Sequence, residues 1–250
     1  MIEKHVDIST RAGVADTFVC HPERGGPHPA VIFYMDAPGI REELYDMARR
    51  IACVGYYVIL PNLYYRTGRG PQLTAEATVH ESPEQKKMFG LMATISNGKI
   101  GEDTGGFLAY LDAQPEVKKG PVGAVGYCMS GPYAMVAAAM YPDRFGAALS
   151  LHGVPFVTDQ ADSAHLMMDK IRAEAYFGFG STDFLTPQKD IDVLAAALAK
   201  TKMKYELEMY EGCGHGFVFP QRSLYNKAGA ERHWERLFDR SEEHTSELRH

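Results

Sequence analysis

A thiol, a carboxylate and an imidazole each follow an apolar, strand-like run in this chain, and together they could perform acyl transfer. Cys128 interrupts VGAVGYCMSGPYAMVAAAM, residues 122–140, where an apolar run passes through a Gly-rich pinch into an Ala/Met-rich one. Asp183 closes Ser181-Thr182-Asp183 after AEAYFGFG. His215 lies in Glu211-Gly212-Cys213-Gly214-His215-Gly216-Phe217 after MKYELEMY. The expected roles are nucleophile for Cys128, base for His215 and orienting acid for Asp183. Asp183 also reads as a cap for a helix beginning near Pro187.

Cys128 stands where a strand must turn sharply into a helix. Positions two away on either side, Gly126 and Ser130, are small, and Gly131 allows close helix–strand approach. Pro132 suits a first helical turn, where its missing N–H costs nothing. Ser130 as nucleophile would have Cys128 and Pro132 in the flanking places, a poorer match. A thiol at a helix N-terminus is pushed toward thiolate by the helix dipole. The Met129 N–H is expected to face a developing oxyanion, with the Ala37 N–H, in the loop after PAVIFYM, as second donor. Glycines on both sides of His215 let its loop approach the thiol.

Stepping along the chain, EKHVDIST and VADTFVC alternate around residues 11–13 and predict an opening hairpin. PAVIFYM and YYVILP read as buried strands, with the helix REELYDMARRIACVG between them. SPEQKKMFGLMATI predicts a helix, and GEDTGGFLAYLDAQ a weaker one because Gly105 and Gly106 interrupt it. Further strands are expected at VGAVGY, FGAALSLHG, AEAYFGFG and MKYELEMY, with helices at PYAMVAAAM, DIDVLAAALAKT and SLYNKAGAERHWERLFD. Strands alternating with helices imply a mostly parallel sheet covered on both faces, with ligands beyond the carboxyl ends of the strands. One domain is expected over residues 1–239. RSEEHTSELRH, residues 240–250, is polar throughout, and Arg240 to Leu248 resembles the translation of a common sequencing-adapter oligonucleotide, so the stretch is read as a non-native or disordered tail.

The 250 residues are 45% hydrophobic, enough for a sizeable core, and the formal charge of −6 comes with no Lys/Arg block to focus phosphate. Nucleic acid is not an expected partner. An N-terminus without an apolar stretch, and no run of membrane-spanning length, predict a cytoplasmic protein with no membrane partner. The four cysteines lack CxxC spacing and are expected to be reduced thiols, Cys20 and Cys53 as core packing. Cys213-x-His215 lacks further ligands at metal spacing, so no metal is expected.

Gly126-Tyr127-Cys128-Met129-Ser130-Gly131, with Asp183 and Gly214-His215-Gly216-Phe217, resembles the dienelactone hydrolase family, over essentially residues 1–239. The order nucleophile, acid, base is also that of α/β-hydrolases. The resemblance implies an α/β-hydrolase fold and a Cys-His-Asp triad that opens small esters and lactones without a cofactor. In the family a Glu in the first oxyanion loop hydrogen-bonds the resting thiol, and the matching residue here is Asp36, one methylene shorter. The enzyme that names the family holds its substrate's carboxylate partly with an Arg four residues beyond the catalytic His, a position occupied here by Phe219. Tyr64, Tyr65, Tyr127, His152, Phe217 and Phe219 are candidate pocket residues. The rival reading is a non-catalytic ligand binder or thiol-redox sensor on the same fold, with Cys213 as resolving thiol.

Overall fold

A computed structural model describes the backbone of residues 1–246 and the side chains of residues 1–239. The expectation for residues 240–250 concerns side chains that lie outside those described. Two compact units divide the chain at Gly120 and Pro121.

In the first unit, β1 (Ile2–Thr10) and β2 (Gly13–His21) form the expected antiparallel hairpin. Next come β3 (Ala30–Tyr34), α1 (Glu42–Cys53) and β4 (Tyr57–Pro61). The strand order is β1-β2-β4-β3, with β2 antiparallel and β3 parallel to β4. Every residue of β3 and β4 is buried, as their unbroken apolar runs require. Cys20 is buried in β2, but Cys53 is exposed. It is the last residue of α1, and the face that buries Leu44, Met47, Ala48 and Ile51 has turned away from it.

α2 (Pro83–Met92) starts at Ser82, whose hydroxyl accepts from the Gln85 N–H. α3 (Asn97–Asp112) runs unbroken through Gly105 and Gly106. The glycine that weakens this helix as a sequence is its packing surface. A Cβ on Gly106 would come within 2.5 Å of the Ser9 carbonyl oxygen. Close packing on β1 therefore outweighs a propensity cost of about 1 kcal/mol.

In the second unit β5 (Val122–Tyr127), β6 (Phe145–Leu151), β7 (Glu174–Gly180) and β8 (Tyr205–Tyr210) lie in that order, all parallel. α4 (Gly131–Met140), α5 (Gln188–Leu198) and α6 (Lys227–Ser246) complete it. Short 3₁₀ turns at Cys128–Ser130 and Ala164–Lys170 carry no periodic signal in the sequence. α4 is apolar on nearly every side and correspondingly buried. Four parallel neighbours place four strand-to-loop junctions on one edge, at Cys128, His152, Ser181–Asp183 and Glu211–His215. Among the described residues no helix is long and apolar enough to cross a membrane.

Candidate active site

The turn after β5 is built around its small residues. A Cβ on Gly126 would overlap the Ser130 carbonyl oxygen, and one on Gly131 would overlap Ser150 Oγ and Gly153 Cα. The Tyr127 N–H donates to Ser130 Oγ at 2.9 Å, and that hydroxyl donates back to the Tyr127 carbonyl at 3.0 Å. Ser130 is thus committed to the turn. Cys128 sits at the tip with φ +55°, a conformation that L-residues other than Asn, Asp and His seldom adopt.

The Asp and His loops are tied to each other. The Thr182 N–H donates to the Cys213 carbonyl at 3.0 Å, and the Gly212 N–H donates to Ser181 Oγ at 2.9 Å. Any side chain on Gly180 would collide with the Cys213 carbonyl. Within this frame His215 Nε2 lies 3.0 Å from Cys128 Sγ, and Nδ1 lies 2.8 Å from Asp183 Oδ2. Asp183 Oδ1 accepts the Leu185 N–H at 2.9 Å, and Oδ2 also accepts from the Thr186 hydroxyl at 3.3 Å. The three side chains that the strand ends singled out therefore form one hydrogen-bonded line.

All three residues are buried, each less than a tenth exposed. Burial alone would disfavour a charged imidazole, but the Cys128 sulfur, with Asp183, outweighs it and lifts His215 to about 10. The line therefore favours a protonated imidazole facing the sulfur.

Around the thiol, His152 and Tyr127, read as pocket candidates, make contacts that the sequence did not specify, and Tyr133 and His233 join them. His152, fully buried after β6, accepts the Cys128 N–H at Nδ1, 3.2 Å away, and meets the His215 ring at 5.0 Å between centroids. Tyr133, on the first turn of α4, has its hydroxyl pushed up by burial and by the nearby Cys128 charge. His233 of α6 donates from Nδ1 to the Ala230 carbonyl, so its Nε2 accepts from the Tyr127 hydroxyl at 2.9 Å. The contacts of His152 and His233 join elements distant in sequence, which periodicity does not encode.

The remaining candidates are placed as follows. Phe217 and Phe219 are fully buried, both in ring contact with His152. The Arg222 guanidinium lies 4.6 Å over the Phe219 ring, so a cation stands beside the position read as apolar. In the first unit, Asp36 is fully buried and paired with Arg41 through contacts of 2.5 and 3.1 Å. The Tyr64 hydroxyl donates to the Ala37 carbonyl at 2.8 Å, and the Tyr65 hydroxyl donates to Asp103 at 2.8 Å. Cys213 is buried and free, with its sulfur directed at Gly229 of α6. Among the described residues no three His, Cys, Asp or Glu side chains gather as a metal site would need.

Comparison with known proteins gives the fold and the family. The solved structure of a candidate dienelactone hydrolase from Klebsiella pneumoniae has the same α/β-hydrolase fold, with a TM-score of 0.84 at 22% identity, over 95% of this chain and 97% of that one. A candidate carboxymethylenebutenolidase of Synechocystis sp. is 28% identical over 221 residues, 88% of each chain. A candidate 2-oxo-3-(5-oxofuran-2-ylidene)propanoate lactonase of Bradyrhizobium sp. is 24% identical, over 92% of this chain and 89% of its own. The family model for dienelactone hydrolases matches residues 15–244, and the chain belongs to that family of carboxylic ester hydrolases.

Proposed function

We propose that the chain hydrolyses small esters or lactones through an acyl-thioester on Cys128. The observation that carries this reading is the line Sγ–Nε2 at 3.0 Å and Nδ1–Oδ2 at 2.8 Å, set at the tip of a strand-to-helix turn. In the first half-reaction the thiolate attacks the substrate carbonyl carbon. The oxyanion forms at the start of the Cys128–Ser130 turn, where the Met129 N–H and the positive end of the backbone dipole favour it. The carbonyl–oxygen bond then breaks, and His215 Nε2 gives its proton to the leaving oxygen. With a lactone, the released hydroxyl stays tethered to the acyl group.

The charge balance then reverses the role of His215. Acylation neutralises the sulfur, so the group that lifts His215 to about 10 no longer acts. A neutral imidazole can take a proton from water, whose oxygen attacks the thioester. The carbon–sulfur bond breaks, the acid leaves, and the thiolate–imidazolium pair is restored. Asp183 keeps the proton of Nδ1 facing itself throughout, which leaves Nε2 free for each transfer.

Exposed apolar side chains neighbour this line. Phe184 and Leu185, directly after Asp183, are exposed, and so is Leu224, whose side chain lies beside Gly214. Short apolar acyl or alkoxy groups suit such neighbours, and lactones agree with the name of the Bradyrhizobium relative. The test compares parent and Cys128→Ala on short nitrophenyl esters and a small unsaturated lactone. Activity lost in Cys128→Ala supports the reading, and equal activity in both removes Cys128 from the mechanism.

A further inference from the structure

The register of β5 on β6 pairs Tyr127 with Leu151, so the next residue of each strand, Cys128 and His152, emerge side by side. The loop after β6 then holds both peptide groups of Cys128. His152 Nδ1 accepts the Cys128 N–H at 3.2 Å, and the Val154 N–H donates to the Cys128 carbonyl at 3.1 Å. His152 is itself fixed, because its own N–H donates to the Gly178 carbonyl at 2.7 Å.

A backbone amide can only donate, so the Nδ1 facing it carries a lone pair and the ring proton resides on Nε2. Among the described residues no protein group accepts from that Nε2, an unusual state for a fully buried donor. A surface histidine would avoid this cost, and a phenylalanine would fill the space among Tyr127, Phe217 and Phe219 without it. An imidazole at this place is therefore explained by what Nδ1 does.

We propose that His152 is a positioning residue of the nucleophile: its neutral imidazole anchors the Cys128 amide and holds the left-handed turn that directs Sγ at His215. The proposal rests on the reading of Cys128 as nucleophile. Protonation would place an N–H against an N–H and break the anchor. The charged and titratable groups acting on His152 are His215, Arg222 and His233, and all three, after burial itself, oppose its protonation. Cys128, packed against the same ring edge, is held by the neutral form.

Three variants separate the anchor from packing. The backbone at His152 has φ +39°, which Asn tolerates well. His152→Asn offers an amide oxygen near the place of Nδ1, His152→Gln offers one near Nε2, and His152→Gly fits the backbone with no acceptor. The first readout is the pH dependence of Cys128 alkylation by iodoacetamide, followed on its peptide by mass spectrometry, with the exposed Cys53 as internal reference. The second is kcat and KM on nitrophenyl acetate.

His152→Asn is expected to stay within about threefold of the parent in kcat, with the parent's alkylation profile. His152→Gln and His152→Gly are expected to lose about tenfold or more in kcat, with KM little changed. Their Cys128 profiles should move up by about one pH unit, that of Cys53 not at all. If Gln and Gly keep the parent profile, the proposal is wrong. It is equally wrong if Asn falls with the other two in step with melting temperature, since packing would then explain all three. Should Gly fail to fold, the Asn–Gln pair decides. Activity surviving in Cys128→Ala would overturn the nucleophile reading, whereas the alkylation profiles still report whether His152 governs that thiol.

Discussion

Replacing Asp183 by Asn changes one atom's chemistry and almost none of its shape. Oδ1 would still accept the Leu185 N–H, now 2.9 Å away, so the loop keeps its fold. The new amide nitrogen takes the place of Oδ2, 2.8 Å from His215 Nδ1 and 3.3 Å from the Thr186 hydroxyl. An amide nitrogen only donates, so Nδ1 must present its lone pair and the ring proton moves to Nε2. Nε2 then faces the sulfur already protonated and cannot take a proton from it. Losing a charge-assisted hydrogen bond costs about 2–3 kcal/mol, or about 30- to 150-fold in rate. In a serine-based triad the wrong tautomer brings the loss to about 10⁴-fold. A thiol needs less help from its base than a hydroxyl does, so about 10³-fold is expected here. The assay is kcat/KM of Asp183→Asn on short nitrophenyl esters, with melting curves to show that the fold is retained. A folded variant within tenfold of the parent would refute the reasoning.

Three further outcomes follow from particular contacts. Gly126→Ala drives a methyl group into the Ser130 carbonyl, so a loss of about 3 kcal/mol or more is expected, seen as an early urea midpoint. Arg66→Leu takes the cation from the fully buried Asp103, which Arg66 holds through two 2.8 Å contacts, and leaves it the Tyr65 hydroxyl, so it should cost about 3 kcal/mol by the same measurement. His215 is lifted to about 10 chiefly by the Cys128 sulfur, and in the unfolded chain the proton they share stays on the thiol up to about 8.5, so the stability of the pair is level between about 6.5 and 8.5 and is lost as pH rises from about 8.5 through about 10. The melting temperature should therefore fall over that window, and in Cys128→Ala, without the sulfur's charge, the fall should begin at lower pH.

Much of the architecture was legible because its signals are local. The unbroken apolar runs of β3, β4 and β7 and the turn residues around Gly126 and Gly131 speak through neighbours in sequence. The rule that ligands lie beyond the carboxyl ends of parallel strands then singles out Cys128, Asp183 and His215 with no knowledge of distance. What escaped depends on which distant residues meet. Gly106 weakens a helix in isolation, yet it is where α3 touches β1. Cys53 lies in an apolar run, but the turn count leaves it outside the buried face. Phe219 alone suggests an apolar wall, while Arg222, three residues on, folds back over its ring. His152 looked like one more strand-end residue until the β5–β6 register set it against the Cys128 amide.

The central claim is that acyl groups pass through the sulfur of Cys128. The most direct measurement mixes the protein with a slowly deacylating nitrophenyl ester, quenches in acid and maps the adduct by peptide mass spectrometry. The account predicts one acyl group on the Cys128 peptide, appearing with the burst of nitrophenol and decaying as hydrolysis completes. Turnover with the acyl group on another residue, or with no adduct and undiminished in Cys128→Ala, would contradict it.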